Sequence, residues 1–262
     1  IGAVVGWDQH TYMPPKGGEH RAEQMGYLAK HGHALLTSPR IGELLNALNG
    51  TTLDETQTVN VREIRRTYER AVKMPATLVE EIAKTVSQAQ NVWAEARRKS
   101  DFPAFAPWLE KIVTLKREEA KAVGYKDSPY DALLDEYEPG ATAAEITRVF
   151  AELRADLVPL VSAIASAKKK PRKDIFTREF AVDRQHVFGQ SAAAAIGFDF
   201  QAGRLDTTVH PFCSGIGPGD CRLTTRYHPR ELNQGLFGIL HEAGHGIYEQ
   251  GLDPAHFGTP CG

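Results

Sequence analysis

His241-Glu242-Ala243-Gly244-His245 places two imidazoles and a carboxylate within five residues of a patterned helix. On a helix, residues four apart share a face, so His241 and His245 can hold one divalent ion. Glu242, one step round the helix, then reaches water activated by that ion. A metal lowers the pKa of bound water from near 16 to about 7, and Glu242 would take the proton and deliver it to a leaving amine. The implied reaction is peptide-bond hydrolysis. The chain has ten histidines, and shuffling it would give roughly 0.03 such motifs.

A zinc site of this kind needs a third protein ligand. The extended H-E-x-x-H-x-x-G-x-x-H arrangement fails, because Tyr248 and Gly251 stand at the required Gly and His positions. Glu249 lies on nearly the same face but about 6 Å further along the axis than His245. His256 lies beyond the helix and would have to fold back. The expectation is that no residue of the chain is the third ligand and that a Glu on a later helix, beyond Gly262, supplies it.

The elements that must position this motif are mostly helices. The patterns predict them over Glu19 to Leu36, Pro39 to about Leu48, Asp54 to about Val72, Thr77 to Arg98, Asp101 to about Ala122, and a short one from Ser128-Pro129. Ala143 to Ala165 is the clearest, with Thr142 and Glu145 as a capping box and an apolar stripe of Ile146, Val149, Leu153, Leu157, Leu160 and Ile164. Another runs from about Arg184 to Ile196. The zinc-motif helix is expected to open at Pro229, bury Leu232, Leu236, Ile239, Leu240, Ala243 and Ile247, and end near Gly251.

Between these last two helices the periodicity changes. Gly203 to Cys213 is β-branched and alternating, Ser214 to Gly219 has turn chemistry, and Asp220 to Tyr227 suits a return strand. The expected fold class is therefore mainly α, a helical zincin-like metallopeptidase with a small β-hairpin or sheet beside the H-E-x-x-H helix. No interdomain linker or repeat is apparent. Residues 1–262 are expected to form a single-domain fragment, a helical part over 1–200 and the hairpin with the zinc-motif helix over 201–262. Trp7, His10 and Met13 are expected to pack in a loop.

Composition excludes several classes. Among 262 residues, 42% are hydrophobic and 24% charged, with 31 Lys plus Arg against 33 Asp plus Glu and a formal net charge of -2. That balance gives no field for nucleic acid. The dense basic run Lys168 to Lys173 follows a helix end, where solvated cations complement the dipole. The longest near-apolar stretch, Leu157 to Ala167, is too short to span a bilayer. Neither nucleic acid nor membrane is expected as a partner. The opening Ile1 to Trp7 is no complete signal peptide, and a cytoplasmic address is expected. In a reducing compartment Cys213 and Cys221, flanking the hairpin turn, should pack as thiols rather than bridge. His31 and His33, two apart on a helix, point to different sides and make no metal pair.

At this point the sequence resembles the carboxypeptidase Taq family of metallocarboxypeptidases. Trp7-Asp8-Gln9-His10-Thr11-Tyr12-Met13-Pro14 is similar to its N-terminal motif, His210-Pro211-Phe212 to its H-P-F, Asp220-Cys221-Arg222-Leu223-Thr224 to its D-x-R-x-T, and His241 to His245 to its zinc motif. The resemblance implies a mainly helical, homodimeric exopeptidase that removes C-terminal residues using zinc or cobalt. It implies His241 and His245 as ligands, Glu242 as general base, and a cleft lined by the H-P-F and D-x-R-x-T motifs. The family's third ligand and its C-terminal motifs are expected to lie beyond Gly262, which would impair this chain alone.

An exopeptidase also needs a cation for the substrate's free carboxylate, a role suited to a planar guanidinium. Arg222 is a candidate, though Asp220 could hold it in a structural pair. His210 could donate to a substrate carbonyl or simply fix a strand end. Thr224 completes the candidate substrate-binding set. The competing readings are a zinc oligopeptidase or aminopeptidase, and a catalytically inactive helical interaction module.

Overall fold

Helices α1 (Gly2–Thr11), α2 (Gly18–Leu36), α3 (Pro39–Ala47), α4 (Glu55–Ala71), α5 (Ala76–Lys99), α6 (Phe102–Val123), α7 (Pro129–Leu134), α8 (Ala143–Ser166) and α9 (Val182–Ala195) precede a three-stranded sheet, and α10 (Leu232–Gly251) follows it. The computed structural model describes every residue except Thr177. α2 lies along α5, and α5 along α6, forming the layer that carries the first half of the chain. The mainly helical expectation is correct. Capping does much to place the boundaries: Asp54 with Gln57, Ser128 with Asp131, and Thr142 with Glu145 each form a capping box.

α1 differs from expectation. Trp7 and His10 sit on a helix, not in a loop, and only Met13 lies outside it, just past its C-terminal end. Ile1 offers no side-chain cap, so local chemistry gives little notice of this helix. Tertiary contacts hold it instead. Trp7 is buried, and Arg21 donates to the Val5 carbonyl at 2.7 Å and to Asp8 at 2.6 Å.

The sheet also departs from a simple hairpin. Strands β1 (Gly203–Thr207) and β2 (Cys213–Gly217) flank β3 (Asp220–Thr225), β1 pairing parallel and β2 antiparallel. The segment predicted as one strand over 203–213 is broken, and part of the segment expected to be a turn forms β2. Pro211 explains the break, since it has no N–H for a ladder. The turn shrinks to Pro218-Gly219, where Gly219 adopts φ +79°.

The core that supports α10 comprises Ala193, Phe198, Leu205, Cys221, Leu223, Ile239 and Ala243. Gly246 lets α10 lie directly on it. A Cβ there would come within 2.6 Å of Phe198 and 2.9 Å of Leu223. α10 begins at Leu232, three residues after the expected Pro229. The backbone of 228–229 is committed elsewhere: Phe180 N–H donates to Pro229 O at 2.7 Å, and Gln185 Nε2 to His228 O at 2.9 Å.

No residue of α8 is buried, and its apolar stripe, including Leu153, Leu157, Leu160 and Ile164, faces solvent. Among the described residues no helix is long and apolar enough to cross a membrane.

Candidate metal centre and active-site cleft

α10 turns two different surfaces to its surroundings. Ile239, Ala243 and Gly246 are buried against the sheet, while His241 and His245 are exposed on the opposite side. The two imidazoles lie edge to face with ring centroids 5.0 Å apart. Glu242 sits between these surfaces, only 7% exposed. Burial raises its pKa above the ordinary carboxylate value, against the opposing influence of His241, His245 and His210.

These side chains open onto a cleft of about 680 Å³. Its floor is one face of α10: Gln234, Gly238, His241, Glu242, His245 and Glu249. Its far wall is the segment His210-Pro211-Phe212-Cys213, with Gly215 from β2 and Arg226 just past β3. The structure thus brings together His241, Glu242, His245 and His210. It does not bring Asp220, Arg222 or Thr224 to the cleft lining.

Arg222 instead donates twice to Asp220, Nε to Oδ1 at 2.8 Å and Nη2 to Oδ2 at 2.7 Å. Its guanidinium lies 4.3 Å from the centre of the Trp7 ring. That pairing holds the Asp220 carboxyl below its ordinary pKa. Thr224 is fully buried. Its hydroxyl accepts from Phe212 N–H and bonds Phe212 O, both at 2.8 Å, and its own N–H donates to Phe212 O at 2.9 Å. Thr224 therefore clamps the residue next to Pro211, where the proline has removed a ladder bond.

Sequence reasoning missed Arg226 as a cleft residue. It lies just past the end of β3, and no local pattern marks it as a cleft residue. Its Nη1 donates to Val209 O at 3.3 Å, and it joins no ion pair among the described residues. His10 stands behind the far wall, its ring 5.4 Å from that of Phe212. Burial first, and then His210, lower its pKa. Cys213 and Cys221 face one another as free thiols with sulfurs 3.5 Å apart, as the packed-thiol reading expects.

Two imidazoles on one helical turn, both lining the cleft, suit two ligands of a single divalent ion. Among the described residues no group of three His, Cys, Asp or Glu side chains could hold such an ion. The residues fit a metal as two ligands of a larger set, with Glu242 beside it.

The whole chain, residues 1–262, matches the family model for carboxypeptidase Taq (M32) metallopeptidase. The chain belongs to this family. It is 45% identical to thermostable carboxypeptidase 1 of Thermus thermophilus, covering 100% of this chain and 54% of that protein. Against carboxypeptidase 1 of Bacillus subtilis it is 38% identical, covering 98% and 52%. The M32 chain thus spans about half the length of the curated relatives it matches. Solved structures agree. It superposes on the BsuCP crystal structure with a TM-score of 0.95 at 37% identity, over 99% of this chain and 52% of that one. The crystal structure of M32 carboxypeptidase from Deinococcus radiodurans R1 gives 0.84 at 41% identity, covering 99% and 52%.

Proposed function

We propose that this chain carries the catalytic motif of a metal-dependent carboxypeptidase that releases C-terminal residues from peptides. One observation supports this most: His241 and His245 face a cleft with the buried Glu242 between them, in a chain whose whole length matches the M32 family. His241 and His245 would hold zinc, or cobalt, together with a third ligand. The ion supplies Lewis acidity toward water and the scissile carbonyl.

The chain's own residues do the rest. Glu242 accepts the proton of the attacking water and returns it to the departing amine; its raised proton affinity suits a group that must both take and give. His210, on the opposing wall, donates to the substrate carbonyl. For the terminal carboxylate the best partner is Arg226, which lines the cleft and, among the described residues, commits only Nη1, to Val209 O. Arg222 is engaged by Asp220 and Trp7 and belongs with Thr224 among the groups that position the cleft wall. A homodimer in the cytoplasm, with peptides as substrates, belongs to the same proposal.

The test is cleavage of an N-acetylated peptide against its C-terminally amidated twin by the metal-loaded enzyme. Release of the last residue from the free acid alone is expected. Equal cleavage of both would favour an oligopeptidase, attack on a free N-terminus an aminopeptidase, and no cleavage an inactive helical module.

A further inference from the structure

A second chamber of about 660 Å³ adjoins the metal-motif cleft, and His210 and Phe212 line both. Its other walls include Trp7 of α1, Trp93 of α5, and Phe105 and Ile112 of α6. Its size falls in the range of about 300–1,000 Å³ usual for small-ligand pockets.

The aromatic walls are fixed from behind. Two guanidinium groups lie against Trp7, Arg204 at 5.1 Å and Arg222 at 4.3 Å from the centre of its ring. Trp93 meets His210 edge-on at 6.2 Å and Arg97 at 5.4 Å. The Trp7 Nε1 donor is buried and has no acceptor among the described residues. That N–H is sealed from solvent, so what the chamber presents to a ligand is the aromatic and aliphatic surface of Trp7, Trp93, Phe105 and Ile112.

We propose that this chamber is a substrate subsite taking an apolar, above all aromatic, side chain on the N-terminal side of the scissile bond. The proposal rests on the carboxypeptidase reading, and that reading fixes the direction. A carboxypeptidase has one substrate residue beyond the bond it cuts, and the cleft beside Arg226 accommodates that residue. Any further adjoining subsite therefore serves residues upstream. His210 and Phe212, as the shared wall, would set the chain's path from cleft to chamber. The substrate class is then an extended peptide with an aromatic residue shortly before its C-terminus.

The test uses this chain without added metal, by calorimetry together with tryptophan fluorescence. The probes are N-acetyl-Ala-Ala-Ala, N-acetyl-Phe-Ala-Ala and N-acetyl-Ala-Phe-Ala, each as acid and amide. One of the Phe peptides should bind at least tenfold more tightly than the Ala peptide and shift the indole emission. Val86→Trp fills the chamber from a half-exposed wall position and should reduce that peptide to the level of the Ala peptide; Phe105→Ala should weaken it as well. Equal binding of Phe and Ala peptides, no binding of any peptide, or a preference unchanged in both variants would overturn the subsite. Loss of discrimination between acid and amide, with the Phe preference intact, would instead overturn the carboxypeptidase reading.

Discussion

The guanidinium of Arg222 lies 4.3 Å from the centre of the Trp7 indole ring, joining the first helix to the middle strand of the sheet. The same arginine is held by both oxygens of Asp220, so its plane is fixed before it meets the ring. Replacing Arg222 with Ala should cost about 1–2 kcal/mol, the range for a partly desolvated cation–π contact. Lys at this position should recover only part of it, because it lacks the planar fork. Denaturant midpoints for the three proteins check this; an Ala variant as stable as the parent would refute it.

Thr224 and Phe212 give a sharper case. The Thr224 hydroxyl is buried and satisfies both polar groups of the Phe212 backbone. Thr224→Val keeps the shape but strands the Phe212 N–H, while Phe212 O keeps the Thr224 N–H, a loss of about 1–3 kcal/mol. Thr224→Ser should restore most of it. Because Phe212 lines the cleft, the Val variant of an active preparation should also raise KM, and Ser should rescue it. Unfolding curves and kinetics are the measurements.

Acid stability should depend on Asp206. Burial pushes its carboxyl up, but hydrogen bonds from Arg204 and Tyr12 outweigh that and hold its pKa below the ordinary 3.8. The unfolded chain then binds the proton more readily than the folded one. The contribution of Asp206 is therefore complete above about pH 4, and it fades as the pH falls through the depressed folded value. Asp206→Asn should flatten the loss of stability between neutral and acid pH. Parallel stability curves for the two proteins would exclude this.

Glu242→Gln removes the proton acceptor while keeping the side chain's size. In the metal-loaded enzyme kcat should fall by about 10²–10⁴, the usual contribution of general acid–base catalysis, with KM little changed. A fall of less than tenfold would remove Glu242 from that role.

Local rules fared unevenly along this chain. The capping boxes at Asp54, Ser128 and Thr142 and the 3.6-residue stripes carry their own boundary information, and the helices they mark lie where expected. α1 has no such marks; it is held by contacts from elsewhere in the chain, Arg21 on Val5 and Asp8 and the sheet arginines Arg204 and Arg222 on Trp7. The sheet order was equally hidden, since a parallel β1–β3 pair leaves no signature in either strand. In the cleft, the spacing of His241, Glu242 and His245 was legible because one helix carries all three. Arg226 was not, because its place depends on how β3 ends against α10. Arg222, inside β3, is taken up by Asp220 and Trp7, whereas Arg226, just past the strand's end, reaches the cleft.

The central claim is that His241 and His245 together grip one divalent ion. Competition titration of Zn²⁺ or Co²⁺ with a chromophoric chelator measures this on the chain itself. One ion per chain is expected, bound weakly, with affinity lost in His241→Ala and His245→Ala and kept in His256→Ala. Binding that survives both of the first two substitutions, or that disappears only in the third, would contradict the account.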